Sequence, residues 1–516
     1  MKTNTFDYVV VGGGTAGCIV AARLSEEPSV SVLLLEAGGD ERRPEVQTPE
    51  MWPATLGSDL DWAFQTVPQQ KLGRAVPVPR GRVLGGSGSI NVMAHLRGHR
   101  LDYDDWAARG ADGWSYEDVL PFHMKSEDVP SGDPSVRGRG GPLEPAAIAD
   151  PHPLSLAHVE AARRAGYVIA AELNDGELRG AACHDLLISA DHQRQSAASA
   201  YLRPAADRPN LTIVTRATVT GLLIIGGRCQ GVNYVADDRS ESVSANVETV
   251  LCAGAVGTTR LLLASGIGPA DELTPLGVSP VVDSTEVGKN LQDHVLLAGV
   301  RVRVDKELPP PSGNFAEATL FTTLDGSPGR PDLQICNIQV DYHTSVQDPA
   351  GAAFTMGIGH MRPASRGTIR LASADPAAAP LIDPAYLTEK ADVDALITGV
   401  EVVAKLADTG AFDEWGGRCD HTDLLKLDRR DLERAIADGV SSFFHLSGTC
   451  RMGSDDDAVV DPSLRVRGVE KLRVADASVM PSIVSCNTNA ATVMIAEKAA
   501  ALLLDRDCTV AAENVS

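Results

Sequence analysis

No two cysteines in this chain are spaced C-x-x-C, and their total of nine is odd. That excludes a thioredoxin-type dithiol, speaks against a disulfide framework, and fits reduced thiols in a cytoplasmic setting. Positive charge is also in short supply. Lys and Arg number 46 against 69 Asp and Glu, giving a formal charge of −23 and a pI near 4.9, so neither nucleic acid nor an anionic membrane surface is an expected partner. An acidic surface that keeps the chain in solution is the simpler reading. No apolar run reaches the roughly 18 residues of a membrane-spanning helix. Met1-Lys2-Thr3 leads almost directly into the first predicted strand, which leaves no room for a signal peptide. Repeats, low-complexity tracts and a second G-x-G-x-x-G are missing too, and no metal site is expected.

What is present is an ordinary enzyme-like composition, 43% hydrophobic and 22% charged with 48 Gly, in 516 residues, too many for one core and enough for two or three domains. The chain opens with a nucleotide-binding pattern. Tyr8-Val9-Val10-Val11 is the continuous apolar run of a strand buried on both faces. It leads into Gly12-Gly13-Gly14-Thr15-Ala16-Gly17, a G-x-G-x-x-G turn. The first glycine permits the tight turn, the second lets backbone approach a pyrophosphate, and the third lets the following helix, predicted over Ala16 to Ser25, lie against the strand with its N–H groups toward the phosphates. A second buried strand, Val30 to Leu35, ends at Glu36, close to the 20 or so residues beyond the turn at which a carboxylate meets the ribose hydroxyls. Gly38-Gly39 permit another close approach.

From Glu41 to Arg80 periodicity is lost among six prolines, Trp52 and Trp62, which reads as a functional excursion such as a lid. A second glycine-rich loop follows from Gly81 to Asn91. Strands are predicted over Asn210 to Thr215, Val219 to Ile225, Gly231 to Val235, Asp332 to Val340 and Gly367 to Leu371. Helices are predicted over Asp392 to Ala407, Arg429 to Ala437 and Ala491 to Leu504.

Arg80-Gly81-Arg82-Val83-Leu84-Gly85-Gly86-Ser87-Gly88-Ser89-Ile90-Asn91, followed by Arg97-Gly98 and Asp102-Tyr103-Asp104-Asp105-Trp106, resembles the first signature of the glucose–methanol–choline (GMC) oxidoreductases. Gly254 to Pro269 resembles the second, with Thr259-Arg260 where the family commonly has a proline. Phe443-Phe444-His445-Leu446-Ser447-Gly448, Asp476 and Asn487-Thr488-Asn489 match its C-terminal block.

The resemblance implies an α/β FAD-binding Rossmann-like domain (1–156 with the lid 41–80, 196–293 and 443–516) interleaved with an α+β substrate domain on an antiparallel sheet (157–195 and 294–442). FAD would be held by Gly12, Gly14, Thr15, Ala16, Gly17, Glu36 and Ala37, by Arg82, Gly86, Ser87 and Asn91 of the second loop, by Val219 near the adenine, by Asp476 near the ribityl or pyrophosphate oxygens, by Ala477 and Asn487, and by Thr488 with Asn489 under the pyrimidine edge. It would be non-covalent, because Ile90 stands where choline oxidases carry a flavin-linking histidine. By residue type His445 reads as a core histidine; the resemblance makes it the base, with Asn487 at the second catalytic position. A neutral imidazole, of ordinary pKa near 6.5, accepts the hydroxyl proton of an alcohol while the hydride goes to flavin N5. Val295-Leu296 after Asp293-His294 lack the carboxylate of the choline-specific branches, which implies a neutral alcohol. His294 reads as a hydrogen-bonded residue at a domain junction, and Cys450 and Cys486 as packing residues. Electrons would pass to O2 or a quinone-type acceptor, oxygen being preferred, in a monomer or homodimer. The alternatives are a flavin-containing hydroxynitrile lyase using the same histidine, and an NAD- and disulfide-dependent reductase, whose second nucleotide motif and close cysteine pair are lacking.

Overall fold

The computed structural model describes residues 5–349, 351–419 and 424–504. Met1-Lys2-Thr3 and the last dozen positions of the predicted C-terminal segment lie outside the described residues. The β-branched run forms strand β1 (Thr5–Val11), which enters helix α1 (Thr15–Leu24) and returns as strand β2 (Val32–Leu35). β1 lies parallel to β2 with Tyr8 opposite Val32 and Val11 opposite Leu35, and parallel on its other side to Arg239–Leu251. Leu211–Val214 extends the sheet beside β2, Leu472–Val474 pairs parallel with Arg239–Leu251, and the hairpin of Ala217–Ile225 and Arg228–Ala236 closes the far edge antiparallel. Val9, Val10, Val32 and Leu34 are fully buried because both faces of this sheet are covered. α1 packs against the alanine-rich helix Asn489–Leu503, and Arg23 pairs with the buried Glu497 at 2.7 Å across that contact.

The second sheet is antiparallel and eight-stranded. Along Leu333–Ile338 the side chains alternate: Leu333 and Ile335 pack in the core beneath helices Pro153–Arg164 and Lys390–Ala407, whereas Gln334, Cys336 and Ile338 face the central cavity. Two sequence expectations change. Thr368–Arg370, expected as part of this sheet, instead forms a separate ribbon with Leu381–Asp383. The prolines of the 41–80 excursion start order: Pro44 begins the turn Pro44–Gln47, Pro49 begins Pro49–Met51, and Pro53 lies in the first turn of Trp52–Thr55, positions where proline's fixed φ suits a helix and its missing N–H costs nothing. Among the described residues the cysteines are free, no His, Cys, Asp or Glu cluster fits a metal, and no helix is long and apolar enough to cross a membrane.

Candidate active site

Between the two sheets lies a cavity of about 660 Å³. One end is built by the first turn. Gly12 has φ +95°, and a Cβ there would stand 2.8 Å from the Cys252 carbonyl oxygen. A Cβ on Gly17 would reach 1.8 Å from Gly12 O, so the third glycine is fixed by helix–strand packing. Gly14 differs: a Cβ would meet nothing closer than 3.8 Å, so the protein itself does not require glycine there. Gly14 lines the cavity with Thr15 and Ala16 at the N-terminus of α1, where no side chain caps the helix. A space kept clear before uncapped N–H groups suits a pyrophosphate. Glu36 is buried beside it. Its carboxylate accepts from the N–H groups of Gly13 and Gly38, each at 2.7 Å, and burial pushes its pKa up to about 7. The second loop braces the first through Gly85 N–H to Gly13 O at 2.7 Å.

Gly12, Gly14, Thr15, Ala16, Glu36, Ala37, Gly86, Ser87, Asn91, Val219, Asp476, Ala477, Asn487 and Thr488 all line this cavity. Gly17 and Arg82 do not. Gly17 faces the strand instead, and the Arg82 guanidinium lies over the Trp62 ring at 4.9 Å. Arg80, two residues earlier, and Arg260 are the arginines that line the cavity, Arg80 donating to the Phe444 carbonyl. Asp476 accepts from Gly254 N–H (2.9 Å), Thr258 Oγ1 (2.6 Å) and Ser478 N–H (2.9 Å), which ties the start of helix Gly254–Ala264 to the cavity wall. Asn91 accepts from Met93 N–H and from Arg194.

At the other end, Phe444 holds a left-handed φ of +65°, a conformation a non-glycine side chain disfavours and surrounding bonds must enforce. Its N–H donates to Ser442 Oγ at 2.8 Å and its carbonyl accepts from Arg80, so Phe443 and His445 both face the cavity. His445 N–H donates to Asp293 at 2.7 Å, and Asp293 also accepts from Ser442 Oγ and Tyr386.

The ring contacts define proton positions. His294 Nε2 stands 3.0 Å from Met361 O, a carbonyl that can only accept, so this nitrogen carries the proton. His294 Nδ1 is then an acceptor, and His445 Nδ1, 2.9 Å away, must donate to it. The remaining nitrogen, His445 Nε2, is left with its lone pair 3.3 Å from Asn487 Nδ2. Both rings are neutral. Burial lowers the His294 pKa to about 3, and burial with His294 and Arg80 nearby holds His445 well below the usual histidine value. His294, expected as a junction residue, thus keeps its hydrogen bonds but spends one on the candidate base. His360 is held by Asp392 and Asp332 O and does not line the cavity.

Leu296, named from the sequence as a substrate-side position, lines the cavity, and sequence reasoning missed Phe64, Phe315 and Tyr342 as walls and the polar Gln334 and His184. Period-two alternation marks Gln334, Cys336 and Ile338 as one face, but nothing local says which face meets the cavity. Glu36 and Asp476, at the nucleotide end, are the only carboxylates among the described lining residues.

A dinucleotide cradle sharing one cavity with an oriented histidine is the arrangement a cofactor-dependent enzyme needs. The chain belongs to the GMC oxidoreductase family: the N-terminal family model matches residues 6–296 and the C-terminal model 363–496. It is 41% identical to a GMC-type oxidoreductase of Mycobacterium tuberculosis (96% of this chain, 99% of that protein). It is 37% identical to the mitochondrial choline dehydrogenase of Homo sapiens (97% and 90%) and 36% to an alcohol dehydrogenase [acceptor] of Pseudomonas putida (97% and 96%). Among solved structures it superposes on pyridoxine 4-oxidase from Mesorbium loti with TM-score 0.92 and 35% identity (96% and 98% covered), and on an Aspergillus oryzae formate oxidase studied for FAD modification with TM-score 0.89 and 28% identity (98% and 99%). The open face of Gly14, the uncapped helix and the buried ribose-distance carboxylate fit FAD.

Proposed function

We propose that the protein oxidises a neutral primary or secondary alcohol to the carbonyl compound using non-covalently bound FAD, with His445 as base, and passes the electrons to O2 or another acceptor. The observation that carries this reading is the lone pair on His445 Nε2 in the cavity lining, whose one recorded partner is the Asn487 amide Nδ2 at 3.3 Å. Bound in the cradle, the flavin supplies the acceptor for a carbon-bound hydride. The residues of the chain do the rest. His445 Nε2 takes the hydroxyl proton, Asn487 donates to the oxygen as negative charge develops, and His294 holds the tautomer that keeps Nε2 free. Among the described lining residues the substrate side offers a quaternary ammonium aromatic faces but no carboxylate, so choline is expected to be a poor substrate beside neutral alcohols. Residues 1–156, 196–293 and 443–516 carry the nucleotide half in this reading, and 157–195 with 294–442 the substrate half.

Ile90, buried in the wall where a linking histidine would stand, predicts that acid precipitation releases intact FAD; flavin retained by the pellet overturns that. The function itself is tested by mixing holoprotein anaerobically with a panel of alcohols and following flavin absorbance. Bleaching with carbonyl formation is expected. Cleavage of a hydroxynitrile without bleaching would make the protein a lyase, and hydrogen peroxide in equal amount to product in air would make it an oxidase.

A further inference from the structure

Apart from the catalytic pair, the cavity holds two deeply buried polar side chains with atoms that lack a partner in the protein. His184 is 5% exposed and neither ring nitrogen is hydrogen-bonded; Gln334 is 2% exposed and its Oε1 is free. Neither is there by accident of a loose loop. His184 continues the edge of the antiparallel sheet past Gly180–Cys183, its N–H donating to Glu317 O at 3.0 Å. Its neighbour Asp185 points away to Arg137 and Asn174, so alternation along the strand aims His184 into the cavity. Gln334 lies in the middle of its strand with Nε2 3.4 Å from Asn487 Oδ1, which fixes its Oε1 as the group left for something else. In the ladder Gln334 faces Phe321, and Phe321 faces Gly180. His184 therefore stands two strands over and four residues along, which puts the two Cα atoms roughly 16 Å apart at ordinary sheet spacings.

We propose that His184 forms a polar station in the cavity remote from the reacting end, where Gln334 lies beside Asn487, and that it recognises an uncharged hydrogen-bonding group carried at the far end of an extended alcohol from the hydroxyl that is oxidised. This rests on the alcohol-oxidising reading given above and narrows its substrate class. The ring walls contributed by Trp52, Phe64, Phe315, Tyr342 and Phe443 favour a flat molecule, so the class is an aromatic or heteroaromatic alcohol bearing a second neutral polar substituent. A cation has no carboxylate to meet on this side of the cavity. An anion meets no charge at His184, which burial keeps neutral with a pKa lowered to about 4. A substrate lacking the second group would leave buried polar atoms unpaired, the kind of mismatch by which sites built for hydrogen bonds discriminate strongly.

The test uses the FAD-loaded enzyme and matched pairs long enough to reach from the catalytic pair to His184: 4-biphenylmethanol against 4′-hydroxy-4-biphenylmethanol, and 4-biphenylmethanol against 4-(pyridin-4-yl)benzyl alcohol. Wild type should favour at least one polar member by about 10-fold or more in kcat/KM. His184→Leu should bring that ratio close to one, and His184→Gln, which restores a donor and an acceptor, should recover part of it. Equal kcat/KM across both pairs in wild type, or a ratio that His184→Leu leaves unchanged, overturns the station. Loss of bound FAD in His184→Leu, not recovered in His184→Gln, assigns the residue to the cofactor or the fold and overturns it as well. If no alcohol of either kind bleaches the flavin, it is the alcohol-oxidising reading that fails.

Discussion

His445 shows how much of the chemistry depends on a proton that a partner places. With His294 accepting at Nδ1, the lone pair of His445 sits on the nitrogen next to Asn487. His445→Ala is expected to keep the fold and bound FAD and to slow flavin reduction by about 10²-fold or more, the usual scale for a positioned base, as read by anaerobic stopped flow. The pH dependence has a definite sign. Only the neutral ring accepts a proton, so the reduction rate is retained above the His445 pKa and lost as pH falls through it. Burial places that loss on the acid side of the ordinary histidine range rather than near 6.5. A reduction rate still rising steeply above pH 7 would show that another group is the base. At this scale the sequence was partly legible. His445 and Asn487 stood out because they lie inside a long matching block, whereas His294 and His184 come from distant segments and take their meaning only from the ring 2.9 Å away or from the cavity they face.

Glycines in the turn between β1 and α1 divide by what would occupy the space of a Cβ. Gly17→Ala forces a methyl against Gly12 O at 1.8 Å and should destabilise the protein even without cofactor. Gly14→Ala meets only ordinary contacts, at an ordinary φ of −73°, so the unliganded fold should unfold within about 1 kcal/mol of wild type while FAD binding weakens markedly. Thermal unfolding of the apoprotein and titration with FAD check the two halves separately. Equal losses in both variants would mean that Gly14 also serves packing. Glu36 adds a proton to the same element. Ribose hydroxyls donate to the charged form, so FAD should bind more tightly as pH rises toward about 7 and level off beyond it, and Glu36→Gln should flatten that slope. The strands and helix of this element were legible because buried runs and glycine spacing are local; the short proline-started turns of 41–80 were not, since isolated prolines carry no periodicity.

Across the whole molecule a buried charge cluster fastens the parts that frame the cavity. Glu127 is fully buried and pairs with Arg97 and Arg137, and Arg137 reaches Glu172 and Asp185, the latter beside the second sheet. Burial alone would raise the Glu127 pKa, but His95 and the two arginines hold it well below the usual carboxylate range. A carboxyl group with a depressed folded-state pKa contributes its stability fully above the unfolded value near 4.5 and loses it as pH falls from there. Glu127→Gln should therefore cost about 3 to 5 kcal/mol at pH 7, the scale for leaving buried partners uncompensated, and progressively less as pH falls below about 4.5; a cost that did not shrink on acidification would assign it to packing.

The hydrogen bond from Thr15 Oγ1 to Asn489 Oδ1, at 3.0 Å, joins the first turn of the chain to one of its last segments. On the ribosome Asp476, Asn487 and helix Asn489–Leu503, which complete the cavity of the glycine turn and cover α1, emerge more than four hundred residues after that turn. Cofactor capture must wait for those segments to be made. A chain stalled before Phe443 would hold a nucleotide turn whose cavity lacks His445, Asp476 and Asn487, so flavin can report that these late segments are in place but cannot act as a template that guides the early stages.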